Sequence, residues 1–202
     1  DYDITKEMLR YFINKATHQS VSRPSVMISV PCELSEVVRH ALVDVVRHAG
    51  VQSVSLISAP IAAALGAGQI LDLPDTILSV VIGKNLTDCG IYCCGGTVYE
   101  KSLAFGGHSI DLGICRFLQK KYHLIVIPEQ AEQLKHEWAS CISGGEQKIF
   151  TVRGRRLEDG VEIIIELTNH ELALVMQENL MPVVKLIKDV LHYSTPEMAE
   201  DL

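Results

Sequence analysis

The chain has 202 residues, 48% of them hydrophobic and 21% charged, with a formal net charge of −7. That length suits one large domain or two small ones with a real core, and the acidic balance argues against the basic face on which nucleic-acid binders depend. No apolar run approaches the ~20 residues that a bilayer-spanning helix needs, and no signal peptide precedes the first helix, so a cytoplasmic location is expected.

Met8, Leu9, Phe12 and Ile13 recur at helical spacing between Ile4 and Lys15. Ser25–Val30 reads as a short buried strand, followed by an amphipathic helix over Ser35–Ala49 with Val37, Val38, Ala41, Leu42, Val45 and Val46 on one face. Gly50 stands where a left-handed C-terminal cap belongs. A second strand, Ser53–Ile57, leads into a helix opened by Pro60, and this strand–helix–strand–helix order predicts an α/β layer. Three strand-like runs follow, Thr76–Ile82, Asp88–Cys94 and Thr97–Leu103, predicted to form a mixed sheet with a hairpin turn at Gly95-Gly96. Helices are expected over Ser109–Lys120 and Pro128–Ala139, then strands over Ile149–Arg153 and Val161–Leu167. Thr168 and Glu171 make a capping box that opens a long helix containing Pro182, and Thr195-Pro196-Glu197 starts a last one.

Six cysteines carry no Cys-x-x-Cys pair and no histidine spaced to complete a zinc site. Cys93 and Cys94 are adjacent in an expected strand, so their side chains should point to opposite faces. They read as small buried hydrophobes in a reducing compartment.

The segment Met8-Leu9-Arg10-Tyr11-Phe12-Ile13-Asn14-Lys15-Ala16 resembles the helix after the small upper subdomain of MreB proteins, bacterial actin-like proteins of rod-shape determination. Val30-Pro31, Pro60 with Ala62-Ala63-Ala64 and Gly66, Val152-Arg153-Gly154-Arg155, and Thr195-Pro196-Glu197-Met198-Ala199 recur in that family in the same order. The resemblance implies an α/β fold of actin-like, ribonuclease-H-like lobes. The lobes are expected to be incomplete, the chain starting after the first phosphate loop and stopping before the adenosine motif, with a small α+β insertion subdomain. By the same token residues 1–72 belong to the first lobe, 73–105 and 168–202 to the core of the second, and 106–167 to the inserted subdomain. It further implies ATP with magnesium as cofactor, self-assembly into filaments, and cell-shape and wall-synthesis proteins as partners at the inner face of the membrane.

Against that pattern, Val81-Ile82-Gly83-Lys84-Asn85-Leu86-Thr87-Asp88 occupies the place of the family's second phosphate hairpin, Asp-Ile-Gly-Gly-Gly-Thr-Thr-Glu. Such hairpins use bare glycine backbone to bring N–H groups to phosphate oxygens. Gly83 and Thr87 are kept, but Val81 replaces the metal-side aspartate. Lys84 reads either as a point charge on phosphate or as a solvated turn lysine, with Asn85 tolerating a left-handed conformation. Ser58-Ala59-Pro60 stands for Glu-Glu-Pro, which removes the carboxylate that orients the attacking water. Glu132 and Lys135, one helical turn apart, match the helix that approaches adenine and ribose; they read equally as an exposed ion-pairing face. No catalytic residue and no metal ligand is therefore assigned. The loop Thr17–Pro24 offers only Val21 to a membrane, about 1.5–2 kcal/mol of burial and too little to anchor alone.

The reading that follows is an actin-like scaffold component of cell-shape determination that hydrolyses ATP weakly or not at all. The alternatives are an active ATP-dependent filament protein whose missing segments complete the site, and another actin-fold ATPase of chaperone or sugar-kinase type.

Overall fold

The computed structural model describes residues 2–17, 23–70, 74–142 and 146–202. Residues 18–22, which carry the membrane reading of the Thr17–Pro24 loop, lie outside them. The described chain forms two compact units, one of residues 1–81, 88–102 and 193–202, the other of residues 82–87 and 103–192.

In the first unit, α1 (Tyr2–Ala16) lies along α2 (Glu36–His48). Tyr2 Oη meets His48 Nδ1 at 3.0 Å, and Arg10 Nη2 donates to the His48 carbonyl at 3.3 Å. The apolar residues of α1 are not core: none is buried, and Met8 and Phe12 stand half exposed. On α2 the expected face is inward only at its C-terminal half, where Val45 and Val46 are buried, whereas Val37 and Val38 face solvent. Ser35 caps the helix by accepting from the Val38 N–H, and Gly50 ends it at φ +101°, as its type predicts. Strands β1 (Ser25–Val30) and β2 (Ser53–Ser58) pair in parallel, Ser25 opposite Ser53 and Val30 opposite Ser58. α2 is the crossover a parallel pair requires. α3 (Ala59–Gly66) follows directly, with Pro60 in its first turn, where the missing N–H costs nothing.

Strands β3 (Ile77–Ile82), β4 (Thr87–Cys93) and β5 (Gly96–Leu103) lie side by side in that order. The sheet is not mixed: turns this short join only antiparallel neighbours, and the parallel pair β1–β2 is a separate sheet. The hairpin turn also sits one residue earlier than expected. Cys94 (φ 51°) and Gly95 (φ 73°) are its two central residues, the left-handed pair that a tight hairpin demands, and Gly96 already belongs to β5.

The second unit builds a core between helices and a small sheet. α4 (Gly107–Tyr122) packs on α5 (Pro128–Trp138) and α6 (Asn169–Leu191). Its sheet runs β6 (Leu124–Ile125), β7 (Ile149–Arg156), β8 (Glu162–Thr168), antiparallel throughout, with Phe150 opposite Leu167. Ile114, Leu118, Leu124, Leu167 and Leu172 are fully buried here, each contributing about 1.5–3 kcal/mol. Trp138 stacks on Phe150 at 4.6 Å between ring centroids. The strand β6 was invisible to periodicity, being two residues long. His123, with φ 51°, turns the chain from α4 into it. α6 runs as one element through Pro182, opened by the expected box: Thr168 Oγ1 accepts from the Glu171 N–H, and Glu171 Oε2 accepts from the Thr168 N–H at 2.9 Å. α7 (Pro196–Asp201) closes the described chain. Among the described residues no helix is long and apolar enough to cross a membrane.

Candidate functional site

In the second unit the turn of residues 83–86, between β3 and β4, is locked on both sides. The Gly83 N–H donates across the turn to the Leu86 carbonyl at 2.8 Å. The first amides of α4 have no acceptor inside the helix, and the turn supplies two: Gly107 N–H donates to the Gly83 carbonyl at 2.9 Å and His108 N–H to the Lys84 carbonyl at 2.8 Å. So close an approach requires Gly106. A Cβ there would lie 2.4 Å from the Gly83 oxygen and 2.6 Å from the Lys84 oxygen. The Gly106-Gly107 pair just ahead of a helix was the signal for this contact, and the sequence reading, which began the helix at Ser109, passed over it.

Lys135 reaches the same place from α5. Its Nζ donates to Asp111 Oδ1 at 2.6 Å and to the Gly107 carbonyl at 3.2 Å. The two side chains keep only 15% and 4% of their exposure, so this is a buried pair that ties α5 to the start of α4. Glu132 does not join it; its carboxylate lies 3.9 Å from His136 Nε2 along α5. Of the expected site residues, the structure thus gathers Gly83, Lys84 and Lys135 around Gly106-Gly107. Thr87 is fully buried and donates its hydroxyl to the Phe105 carbonyl at 2.8 Å, so its proton is committed inside the unit and its oxygen is shielded from solvent. Asn85 does not use its left-handed tolerance: among the described non-glycine residues only Cys94 and His123 have positive φ.

What the turn still offers is its tip. Lys84 and Asn85 are exposed, and among the described residues their backbone N–H groups donate to no protein acceptor. Two free amides and an ammonium fit phosphate oxygens. They do not fit a metal, and the Val81 side chain has no oxygen to offer one. Among the described residues no three His, Cys, Asp or Glu side chains converge as a metal set.

In the first unit a second polar group surrounds Ser58, the last residue of β2. Its hydroxyl donates to Glu100 of β5, whose same oxygen accepts the Tyr92 hydroxyl at 2.5 Å. Nearby, buried Asp88 accepts from the Ser102 hydroxyl at 2.5 Å, the Cys32 thiol at 3.0 Å and the Cys32 N–H at 3.2 Å. Cys32, Arg39, Ser58 and Glu100 help line a cavity of about 250 Å³. Burial, reinforced by the Glu100 carboxylate, pushes the Tyr92 phenol far up. Burial likewise pushes the Cys32 thiol up to about 12, so both stay protonated hydrogen-bond donors at neutral pH. Sequence reasoning registered Ser58 as a loss and missed Glu100, because no local signal links residues 42 apart.

The fold is that of actin-like proteins. Over its full length the chain superposes on MreB5 of Spiroplasma citri, solved bound to ADP, with a TM-score of 0.91 at 23% identity, covering 60% of that chain. It also superposes on MamK in a double helical filament with a TM-score of 0.74 at 17% identity, covering 58% of that chain. The sequence model of the MreB/Mbl protein family matches residues 1–202, and the chain belongs to that family. It is 33% identical to the cell shape-determining protein MreB of Escherichia coli K12 and 27% identical to the cell shape-determining protein Mbl of Bacillus subtilis, in each case over the whole of this chain. It spans 59% and 61% of the length of those two relatives.

Proposed function

We propose that this chain is part of an actin-like scaffold of bacterial cell-shape determination that binds nucleotide at the 83–86 turn but hydrolyses it weakly or not at all. Its partners are further copies of itself in a filament and proteins of wall synthesis. It works in the cytoplasm, at the inner face of the membrane. The lobes divide as the resemblance implies, with 106–167 as the inserted subdomain of the second. Family membership supports the scaffold role, and the filament of the MamK neighbour supports self-association. The nucleotides bound by the two MreB5 neighbours, ADP and AMPPNP, support binding.

One observation carries the hydrolytic part. Two positions where hydrolysis needs carboxylates hold Val81 and Ala59, and a positioned general base alone is worth about 10²–10⁴ in rate. The free amides of Lys84 and Asn85 with the Lys84 ammonium would hold phosphate, while Gly106-Gly107 and the Asp111–Lys135 pair keep the turn in place. A bound magnesium nucleotide would supply the phosphoanhydride and the charge neutralisation. The residues of the turn would bind and orient it, while Ala59 offers no base.

The active-ATPase alternative has one observation in its favour, the Glu100 carboxylate on the Ser58 hydroxyl. The test is nucleotide affinity and phosphate release measured together on the protein and on Glu100→Gln. Affinity with no release above a buffer control in either supports the proposal. Release that falls at least about tenfold in Glu100→Gln overturns it in favour of the active enzyme.

A further inference from the structure

Adjacent residues of a strand point to opposite faces, so Cys93 and Cys94 should be unable to act together. In the structure they do meet: their Sγ atoms are 3.6 Å apart. The cause is the hairpin turn. Cys93 ends β4, but Cys94 takes the first left-handed position of the turn, φ 51°, and this swings its side chain round to its neighbour's side. Positive φ is uncommon outside glycine, and Asn, Asp and His are the residues that enter it most readily. An outlier of this kind, held by the surrounding strands, is a fair starting point for a functional hypothesis. Cys94 is exposed and Cys93 half-buried, and both are free. Cys93 donates its S–H to the Pro74 carbonyl at 3.3 Å, which fixes one sulfur while the other stays at the surface.

The spacing distinguishes two chemistries. With no cis peptide among the described residues, adjacent Cα atoms lie about 3.8 Å apart. Ordinary disulfides need about 4.4–6.8 Å. Direct S–S closure is therefore disfavoured. Two sulfurs bound at about 2.3 Å to one tetrahedral centre, by contrast, stand about 3.8 Å apart, close to the separation observed. The pair is set for an atom between the sulfurs rather than a bond between them.

We propose that Cys93 and Cys94 form a bidentate dithiol site on the β4–β5 hairpin for a soft, thiophilic metal or metalloid centre that needs two sulfurs from the protein. Among the described residues no third side-chain ligand is gathered there, so the site suits a centre that brings its remaining ligands with it. A monosubstituted trivalent arsenical meets that description. Its arsenic–oxygen bond breaks, each thiol gives a proton to the departing oxygen, and two sulfur–arsenic bonds form with release of one water. Nothing is oxidised or reduced. The hydrogen bond with Cys93 holds the Cys94 thiol up, so Cys94 enters this condensation as a thiol with its proton to give.

The test uses phenylarsine oxide on the reduced protein, with intact mass, free-thiol titration, and reversal by a monothiol against a dithiol. The expected result is one arsenical per chain with two thiols lost, resistant to glutathione and released by a dithiol. Cys93→Ser and Cys94→Ser should hold the arsenical about 10²–10⁴-fold more weakly, the second sulfur being an intramolecular ligand of high effective concentration. Cys94→Gly provides the folding control: glycine suits the left-handed position, so thermal stability should hold or rise while capture is lost. Equal retention in Cys94→Gly and in the parent overturns the proposal, as does an adduct that the monothiol removes as readily from the parent as from the single variants.

Discussion

If Lys135 is a structural tie between α5 and α4, its removal should be felt in stability before it is felt in any ligand. Lys135→Ala leaves Asp111, 4% exposed, as a buried carboxylate without its cation. Breaking a buried pair by removing one partner costs about 3–5 kcal/mol, because the remaining charge is uncompensated. The Gly107 carbonyl also loses its ammonium donor. With a urea dependence of about 1–2 kcal/mol/M, the unfolding midpoint of the second unit should fall by roughly 2 M. The protein's single tryptophan is Trp138, stacked on Phe150 in that unit's core, so its fluorescence reports this transition. The double variant Lys135→Met with Asp111→Leu removes both charges and should recover most of the loss. A fall under about 1 kcal/mol in Lys135→Ala would refute the reasoning. So would a double variant as unstable as the single one, because Asp111 would then not be the group left stranded.

Further outcomes follow from the same geometry. Gly106→Ala drives a methyl into the Gly83 and Lys84 carbonyls; it should destabilise the second unit by about 2 kcal/mol or more and expose the 83–86 turn to faster amide exchange, measured by mass spectrometry. Burial alone would raise the Glu171 carboxyl, but hydrogen bonds from Lys121, Tyr122 and Thr168 overcome it and hold the group at about 2 instead of the ordinary 4.5. Its folded value is depressed, so its stabilisation is complete above about 4.5 and is lost as pH falls toward about 2. With partial solvent screening it amounts to on the order of 1–2 kcal/mol, and Glu171→Gln should flatten the pH dependence of the urea midpoint across that window. Glu100→Ala strands the buried Tyr92 hydroxyl and should cost about 1–3 kcal/mol. Tyr92→Phe in the same background should restore part of it in thermal melts.

How much of this was legible in the sequence depends on the range of the interaction. Thr168 with Glu171, Gly50 and Pro60 each act within one helical turn, and each sits where its chemistry predicts. The order of strands β3, β4 and β5 followed from short connections in the same way. Legibility failed where a neighbour remote in sequence decides. Glu100 reaches Ser58 and Lys135 reaches Asp111, across 42 and 24 residues respectively. The alternation rule separated Cys93 from Cys94 because it assumes a strand, and a one-residue shift of the turn was enough to bring them together. The apolar stripe of α1 was legible as a helix but not as an exposed one, since periodicity tells which residues share a face and not what covers it.

The proposed loss of hydrolysis rests on side chains, Val81 and Ala59 where carboxylates are needed. The direct measurement is phosphate release from magnesium ATP by the protein beside a variant carrying Val81→Asp, Ser58→Glu, Ala59→Glu, Lys84→Gly and Asn85→Gly, with nucleotide affinity determined for both. The account predicts comparable affinities and a turnover in the restored variant at least about 10²-fold above the parent. A parent that already turns over at the restored variant's rate would contradict it.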